Sequence, residues 1–133
     1  MTYLIIALTA IVSYLIGSVN FSILLSKMLS GKDIRESGSG NAGATNMLRT
    51  YGKKMGVITL LLDVLKGIVV ILLSRLVKNI AGTDEIYPVI SYIAGVCVIL
   101  GHNFPLYFGF KGGKGVATSL GVVLMLDWKV GLI

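Results

Sequence analysis

Three long apolar stretches constrain the fold of this chain more than any other feature of its sequence. Residues 1–26 carry no charged side chain, and two further apolar runs extend from Met55 to Val77 and from Tyr87 to Leu100. About 20 consecutive apolar residues are enough for a helix to cross the hydrocarbon core of a bilayer. We therefore predict an all-α integral membrane protein, a helical bundle in which Tyr3–Leu25 is the first span.

The composition also indicates a membrane protein. Of the 133 residues, 55% are hydrophobic and 14% are charged, whereas soluble domains carry about 25% charged residues. A net charge of +6 is compatible with nucleic-acid binding, but in so apolar a chain it favours cytoplasmic loops beside anionic lipid. The expected partner is therefore membrane lipid and not nucleic acid.

A fourth apolar run begins at Val116 and continues to Ile133, where the sequence ends without a polar flank. We expect about four spans, the last of them incomplete, in a single transmembrane domain over residues 1–133 of a C-terminally truncated chain. The first residues are not basic, so we expect a retained helix and not a signal peptide.

The first polar connector, Lys27–Lys54, indicates the topology. Cytoplasmic loops carry an excess of Lys and Arg. Two predicted spans separate this connector from a second polar stretch, residues 101–118, so both are expected on the cytoplasmic side, with the N-terminus outside. The connector's basic residues are Lys27, Lys32, Arg35, Arg49, Lys53 and Lys54, against the acidic Asp33 and Glu36.

Two charged residues lie inside the second apolar run. Asp63 and Lys66 are three positions apart, so on a helix they share one face. A charge at membrane depth is costly and usually faces the interior of the bundle. We favour a mutually neutralising structural pair over a direct chemical role. In the first run, Asn20 is expected to bond to a neighbouring helix.

Residues 37–49, SGSGNAGATNMLR, form the longest run of small and hydrogen-bonding residues. Its glycines let the backbone turn tightly and bring N–H groups close to a ligand, and Arg49 adds a planar fork suited to phosphate. Asn41 or Thr45 is predicted to cap a short helix that ends at Gly52. These features favour an anion site over the alternative, a flexible loop. The side chains that offer donors or acceptors are Ser39, Asn41, Thr45 and Asn46.

The second polar stretch carries a related pattern. The run GGKG at residues 112–115 precedes an apolar helix and resembles a phosphate cradle in physical terms, with mobile N–H donors and one ammonium group. Lys111 and Lys114 agree with the cytoplasmic assignment. His102 is the only histidine, and a lone histidine in a span is more often structural than catalytic.

The sequence context excludes several common site types. Gly38, Gly40 and Gly43 match the dinucleotide fingerprint, but no strand precedes them. Lys114 is followed by glycine, so this loop is not a Walker A motif. One histidine does not make a histidine-rich metal site, and no G-x-S-x-G elbow supports a serine triad. No metal is expected.

At its two polar stretches the chain resembles the bacterial acyl-phosphate:glycerol-3-phosphate acyltransferases, the PlsY family. The run SGSGNxGATNxxR at residues 37–49 is similar to the first motif of that family, and GHxxPxxxxFKGGKGVAT at residues 101–118 is similar to the second. The resemblance covers essentially the whole chain. Family members have further spans and a third, C-terminal motif with a histidine and an asparagine.

The resemblance implies an enzyme of the bacterial inner membrane whose active site faces the cytoplasm. It implies transfer of a fatty acyl group from acyl phosphate to the sn-1 hydroxyl of glycerol 3-phosphate, which gives lysophosphatidate and phosphate in phospholipid synthesis, with no cofactor. By position, it implies catalytic roles for Ser39, Arg49 and Lys114. The implied substrate-binding and phosphate-binding residues are Gly40, Asn41, Thr45, Asn46, His102, Lys111, Gly112, Gly113 and Gly115.

Two other classes of function remain open at this point. A transporter or channel for an anionic or phosphorylated solute would use Asp63 and Lys66 to line its pathway. A structural membrane subunit would use its loops to bind anionic lipid headgroups. Labelled glycerol 3-phosphate distinguishes these classes, because only an enzyme converts it to a lipid-extractable product.

Overall fold

The long apolar runs fold into helices, as predicted. The computed structural model describes residues 1–82 and 84–133, and these residues contain no β-strand. Three helical segments among them are long and apolar enough to cross a membrane, namely Thr2–Ser30, Lys53–Ala81 and Tyr87–Phe108. The helices are α1 (Thr2–Ser18), α2 (Phe21–Ser30), α3 (Ala44–Tyr51), α4 (Lys53–Ala81), α5 (Tyr87–Asn103), α6 (Val116–Leu126) and α7 (Trp128–Gly131), with 3-10 turns at Ile34–Glu36 and Leu106–Phe108.

Helix α4 is the central element of the bundle and contacts α1, α2, α3, α5 and α6. Glycines allow the helix backbones to approach each other closely where the helices cross. A Cβ atom added at Gly17 of α1 would overlap the Val98 carbonyl of α5, and one added at Gly121 of α6 would overlap the Val64 carbonyl of α4. In lipid, where apolar burial gives little driving force between helices, such close backbone packing stabilises the association.

The first span is interrupted. Val19 and Asn20 have extended backbones between α1 and α2, so the prediction of one helix over Tyr3–Leu25 is wrong at this point. The Asn20 side chain accepts the Ile23 N–H at 3.1 Å and begins α2. Its amide donates to the Ala42 carbonyl at 3.2 Å. The expected bond to a neighbouring helix is therefore replaced by a helix cap and a bond to the first polar stretch.

The fourth apolar run is also shorter than predicted. Helix α6 has 11 residues and ends at Leu126. Asp127 then has an extended backbone and accepts the Lys129 N–H at 3.0 Å, which begins α7. The run from Val116 to Ile133 is thus not one continuous helix, because the Asp127 side chain caps a new one.

Buried apolar side chains form two clusters. The cluster at the membrane core joins α4, α5 and α6, whereas the other lies beneath the first polar stretch. Burying one Ile or Met side chain away from water contributes about 1.5–3 kcal/mol, so the second cluster fixes the polar stretch on the bundle. The first cluster contains Val70, Ile71, Ala94, Val98 and Val122, and the second contains Ile23, Ile34, Ala42 and Met47.

Candidate active site

The first polar stretch is an ordered loop built around Asn46. The Asn46 amide nitrogen donates to the carbonyl oxygens of Ile34 at 3.2 Å, Ser37 at 2.9 Å and Asn41 at 3.0 Å. Its side-chain oxygen accepts the Ser39 N–H at 3.1 Å. With only 1% of its surface exposed, Asn46 organises the loop and has no polar atom left for a substrate, contrary to the sequence prediction. The flexible-loop alternative is excluded by the same bonds.

Ser39 is presented on the outside of this loop. It lies between Gly38 and Gly40, whose φ angles of 53° and 75° are in the left-handed region that favours glycine. The Ser39 side chain is exposed, and its hydroxyl oxygen accepts the Asn41 N–H at 3.4 Å. The predicted non-helical backbone at Ser39 is confirmed.

Helix α3 carries the predicted cation of the first stretch. It begins after Gly43 with no side-chain cap, so the prediction that Asn41 or Thr45 caps it is wrong. It ends at Gly52, as predicted. Thr45 and Arg49 lie one turn apart on its exposed face. A phosphate bound at this face would meet both side chains.

The second polar stretch is folded back onto the end of α5. The N–H groups of Gly112 and Gly113 donate to the carbonyls of Asn103 at 3.0 Å and His102 at 3.2 Å. These two groups are therefore not the mobile phosphate donors that the sequence suggested. Glycine is needed here because the second polar stretch packs closely against the first polar stretch and against α5. A Cβ atom at Gly113 would lie 2.5 Å from the Ala42 carbonyl oxygen and against the His102 ring.

The two polar stretches meet at one cavity of about 180 Å³, here called the loop cavity. This juxtaposition confirms the prediction that they lie on the same side of the bundle. Ser39, Gly40, Arg49 and Lys111 are exposed and lie outside its lining. Its polar lining is Asn41, Thr45, Asp63, His102 and Lys114, with Gly43, Ala44 and Gly115, and its apolar lining is Leu60, Val116, Ala117 and Leu120.

A buried charged cluster lies at the inner end of the loop cavity. The Lys66 ammonium is 3.4 Å from an Asp63 carboxylate oxygen and 2.8 Å from Nδ1 of His102. It also donates to the carbonyls of Gly17 at 3.1 Å and Val19 at 2.9 Å. Asp63, Lys66 and His102 are 2%, 4% and 3% exposed. The predicted structural ion pair is present, and it is extended by a histidine and by the broken end of α1.

One oxygen of this cluster has no hydrogen-bond partner. Oδ1 of Asp63 is the oxygen that lies 3.4 Å from the Lys66 ammonium and 3.7 Å from Nδ1 of His102. It is fully buried and makes no hydrogen bond of good geometry with the described residues, and Asp63 lines the loop cavity. The nearby ammonium group compensates the charge of this oxygen, but the oxygen has lone pairs that no donor occupies. The arrangement can therefore accept a hydrogen bond from a hydroxyl group that enters the cavity.

Arg35 joins the two polar stretches, although the sequence indicated it only as one of the basic residues of the connector. Its guanidinium pairs with the Asp33 carboxylate at 2.7 Å and donates to the Lys111 carbonyl at 2.9 Å and to the Phe108 carbonyl. The hydrogen bond from Arg35 lowers the pKa of the Asp33 carboxyl group. Opposite charges two positions apart in the sequence were the only indication of the pair between Asp33 and Arg35. Nothing in the sequence indicated the hydrogen bonds from Arg35 to the second polar stretch.

Known proteins whose sequences are similar to this chain share one description. A family model described as glycerol-3-phosphate acyltransferase matches residues 7–133. The chain belongs to that family. A glycerol-3-phosphate acyltransferase of Clostridioides difficile strain 630 is 48% identical over 126 residues, which are 95% of this chain and 59% of the relative. One of Shouchella clausii strain KSM-K16 is 52% identical over 118 residues, 89% of this chain and 55% of the relative.

Solved structures of the family share the fold. The chain aligns with a crystal structure of PlsY (YgiH), an integral membrane glycerol 3-phosphate acyltransferase, in its glycerol 3-phosphate form, with a TM-score of 0.80 and 42% identity over 96% of this chain and 60% of that one. The lysophosphatidic acid form gives a TM-score of 0.76 and 39% identity, over 96% and 59%. The chain therefore spans somewhat more than half the length of these relatives.

Proposed function

We propose that this chain forms the phosphate-binding half of an acyltransferase that moves a fatty acyl group from acyl phosphate to the sn-1 hydroxyl of glycerol 3-phosphate. The products are lysophosphatidate and inorganic phosphate. One observation carries the proposal: two polar, glycine-rich stretches from distant parts of the chain meet at a cavity that holds an ammonium group, a carboxylate and an imidazole. Family membership supports it, as do the glycerol 3-phosphate and lysophosphatidic acid forms of the aligned structures.

Both proposed substrates carry phosphate, and the cations are placed accordingly. Lys114 lines the loop cavity, and Arg49 lies one turn beyond Thr45 on the exposed face of α3. An ammonium group serves as a point charge, whereas a guanidinium group pairs with two phosphate oxygens at once. We assign one phosphate to each cation, with the Ser39 hydroxyl beside the reacting groups.

The reaction needs positioning more than chemical activation, because acyl phosphate is already activated. The substrate hydroxyl oxygen attacks the acyl carbonyl carbon, the bond from that carbon to the phosphate oxygen breaks, and the hydroxyl proton ends on the departing phosphate, which leaves as hydrogen phosphate. We assign Oδ1 of Asp63 to accept the hydrogen bond of that hydroxyl and so to orient it. Lys114 stabilises the negative charge that leaves with the phosphate. No cofactor takes part in this scheme.

The apolar side of the loop cavity suits the fatty acyl chain. Leu60, Val116 and Leu120 line it, and Leu60 and Leu120 are 42% and 41% exposed. An acyl chain that leaves the cavity along this side would enter the hydrocarbon of the membrane directly. The proposed location is the bacterial inner membrane with the loop cavity facing the cytoplasm, supported by the basic connector Lys27–Lys54.

The transporter alternative required Asp63 and Lys66 to line an open pathway. Both are at least 96% buried, and the Lys66 ammonium already has four polar neighbours. Because the Lys66 ammonium is buried and already surrounded by polar partners, it fits a structural role better than the lining of a conduction pathway. This observation supports the enzyme over the transporter.

The direct test uses the 133-residue chain and a chimera in which it replaces the matched part of the Clostridioides difficile relative. Each is purified, reconstituted in vesicles and given radiolabelled glycerol 3-phosphate with palmitoyl phosphate. We expect the chimera to produce label that extracts into organic solvent as lysophosphatidate. Label that enters the vesicles but stays water-soluble would contradict the proposal and support the transporter.

A further inference from the structure

A second polar cavity lies at the other end of the bundle. Helix α4 has 29 residues and is therefore about 43 Å long. The loop cavity is near the middle and beginning of α4, whereas this cavity surrounds its last two turns. It measures about 440 Å³ and is here called the Arg75 cavity. Its polar lining includes Arg75, Lys78, Asn79, Tyr87 and Ser91.

Arg75 has no acidic partner among the described residues. Its Nε donates to the Tyr87 hydroxyl at 3.2 Å, and one Nη2 hydrogen goes to the Met125 carbonyl at 2.6 Å. Both acceptors are neutral. A guanidinium group has five N–H donors, so donors remain after these two bonds, and they belong to a group whose charge is not compensated.

Lys78 adds a second cation to the Arg75 cavity. Its ammonium lies 5.2 Å from the centre of the Tyr87 ring and 3.1 Å from the Asp84 carboxylate. The side chains of Lys78 and Asp84 are 36% and 76% exposed, and an ion pair so open to water is worth little. The described residues that line the cavity therefore include two cations and no carboxylate.

Aromatic side chains near the Arg75 cavity indicate which kind of anion can reach it. Tyr92 lines the cavity, and the only tryptophan, Trp128, begins α7 two residues after the lining residue Leu126. They are 62% and 61% exposed, and aromatic side chains of this kind concentrate at the membrane–water interface. Phospholipid phosphate groups lie at that interface too. A guanidinium group with unused donors can pair with two oxygens of such a phosphate group.

We infer that the Arg75 cavity binds the phosphate of an anionic glycerophospholipid from the leaflet at this end of the bundle. The free guanidinium donors of Arg75 contact two phosphate oxygens, and Lys78 supplies the second charge. This site is separate from the loop cavity and does not depend on the proposed reaction.

Trp128 makes the inference testable by fluorescence. The chain is reconstituted in vesicles that contain phosphatidylglycerol brominated near the headgroup end of its acyl chains, or equally brominated phosphatidylcholine. We expect phosphatidylglycerol to quench Trp128 more strongly at equal mole fraction. In the variant Arg75→Gln/Lys78→Gln, its preference over phosphatidylcholine should fall roughly fivefold for each cation removed.

A charge-matched control removes two cations from the other end of the bundle. Lys53→Gln/Lys54→Gln should keep the full preference for phosphatidylglycerol, because both residues lie at the start of α4. Equal quenching by the two lipids in the unmodified chain would overturn the inference, whatever the variants do. It would also be overturned if excess inorganic phosphate abolished the preference, because the ligand would then be a soluble anion.

Discussion

The ammonium nitrogen of Lys66 lies 2.8 Å from Nδ1 of His102. An ammonium group has three donors and no acceptor, so Nδ1 must accept, and the imidazole carries its hydrogen on Nε2. That nitrogen faces Gly113 of the second polar stretch. While Lys66 is charged, His102 is thus a neutral imidazole whose Nε2–H can donate a hydrogen bond.

Removing Lys66 should destabilise the bundle. Lys66→Met breaks the bonds to Gly17, Val19 and His102 and leaves the buried Asp63 carboxylate without its cation. Breaking a buried pair from one side costs about 3–5 kcal/mol. We expect a fall of that size in the free energy of unfolding, measured by titration with a denaturing detergent in mixed micelles.

Two variants control for this effect. Asp63→Leu/Lys66→Met removes both charges and should recover part of the lost stability, because no unpaired charge remains. Lys54→Met changes an exposed lysine and should change stability within about ±0.5 kcal/mol. If Lys66→Met behaved like Lys54→Met, the buried cluster would not hold the bundle together.

Asp63→Asn tests the carboxylate oxygen that we assign to the substrate hydroxyl. If this oxygen orients the substrate hydroxyl, losing a charged acceptor should lower kcat/KM for glycerol 3-phosphate by roughly ten- to a hundredfold in the chimera. Asp84→Asn, which is exposed at the opposite end of α4, should have no effect. A loss of activity that only parallels a loss of stability would show that Asp63 acts solely as the partner of Lys66.

Arg49→Ala and Lys114→Ala should each weaken binding of a phosphate-bearing substrate. A charged hydrogen bond left unmade costs about 1.5–3 kcal/mol, which is roughly ten- to a hundredfold in affinity. Arg49→Lys should restore only part of the loss, because an ammonium group cannot form the bidentate pair. Steady-state kinetics of the chimera with each substrate varied measures both effects. Unchanged kinetics in both alanine variants would mean that these cations only hold the loops at the lipid surface.

Patterns of neighbouring residues in the sequence predicted much of this architecture. Hydropathy located the three long spans, the spacing of Asp63 and Lys66 predicted their shared face, and Gly52 marked the end of α3. The count of spans between the polar stretches placed them on one side. Each of these features depends on local composition or periodicity, which a single sequence shows directly.

Contacts between distant segments were not predictable in the same way. Lys66 binds the carbonyls that the helix break at Val19 sets free, and a peptide carbonyl leaves no mark in the sequence. Asn46 was interpreted as a ligand-binding residue because its amide suits an anion, but the loop around it uses every one of its bonds. Asp127 could have predicted the break between α6 and α7, since Asp is a strong helix cap. The apolar residues around it instead favoured one continuous helix.

Ser39 provides the last test, because it distinguishes a residue at the reacting centre from an ordinary loop serine. Its exposed hydroxyl is held between two left-handed glycines. Ser39→Ala in the chimera should lower kcat strongly and leave membrane insertion and the unfolding free energy unchanged. If Ser39 were an ordinary exposed serine that binds no ligand, its replacement by alanine would change the free energy of unfolding within about ±0.5 kcal/mol and would not affect turnover.

Ser37→Ala is the matched control for Ser39→Ala. Ser37 lies two positions earlier in the same loop, and its bond to Asn46 uses the backbone carbonyl, which alanine retains. Its effect on turnover should therefore be much milder. We expect no acyl-serine intermediate, since the structure places no acceptor for a proton beside the Ser39 hydroxyl among the described residues, where its oxygen accepts a backbone N–H. Equal losses of turnover in the two variants, or a covalent acyl-enzyme trapped by acid quenching and seen by mass spectrometry, would refute this role for Ser39.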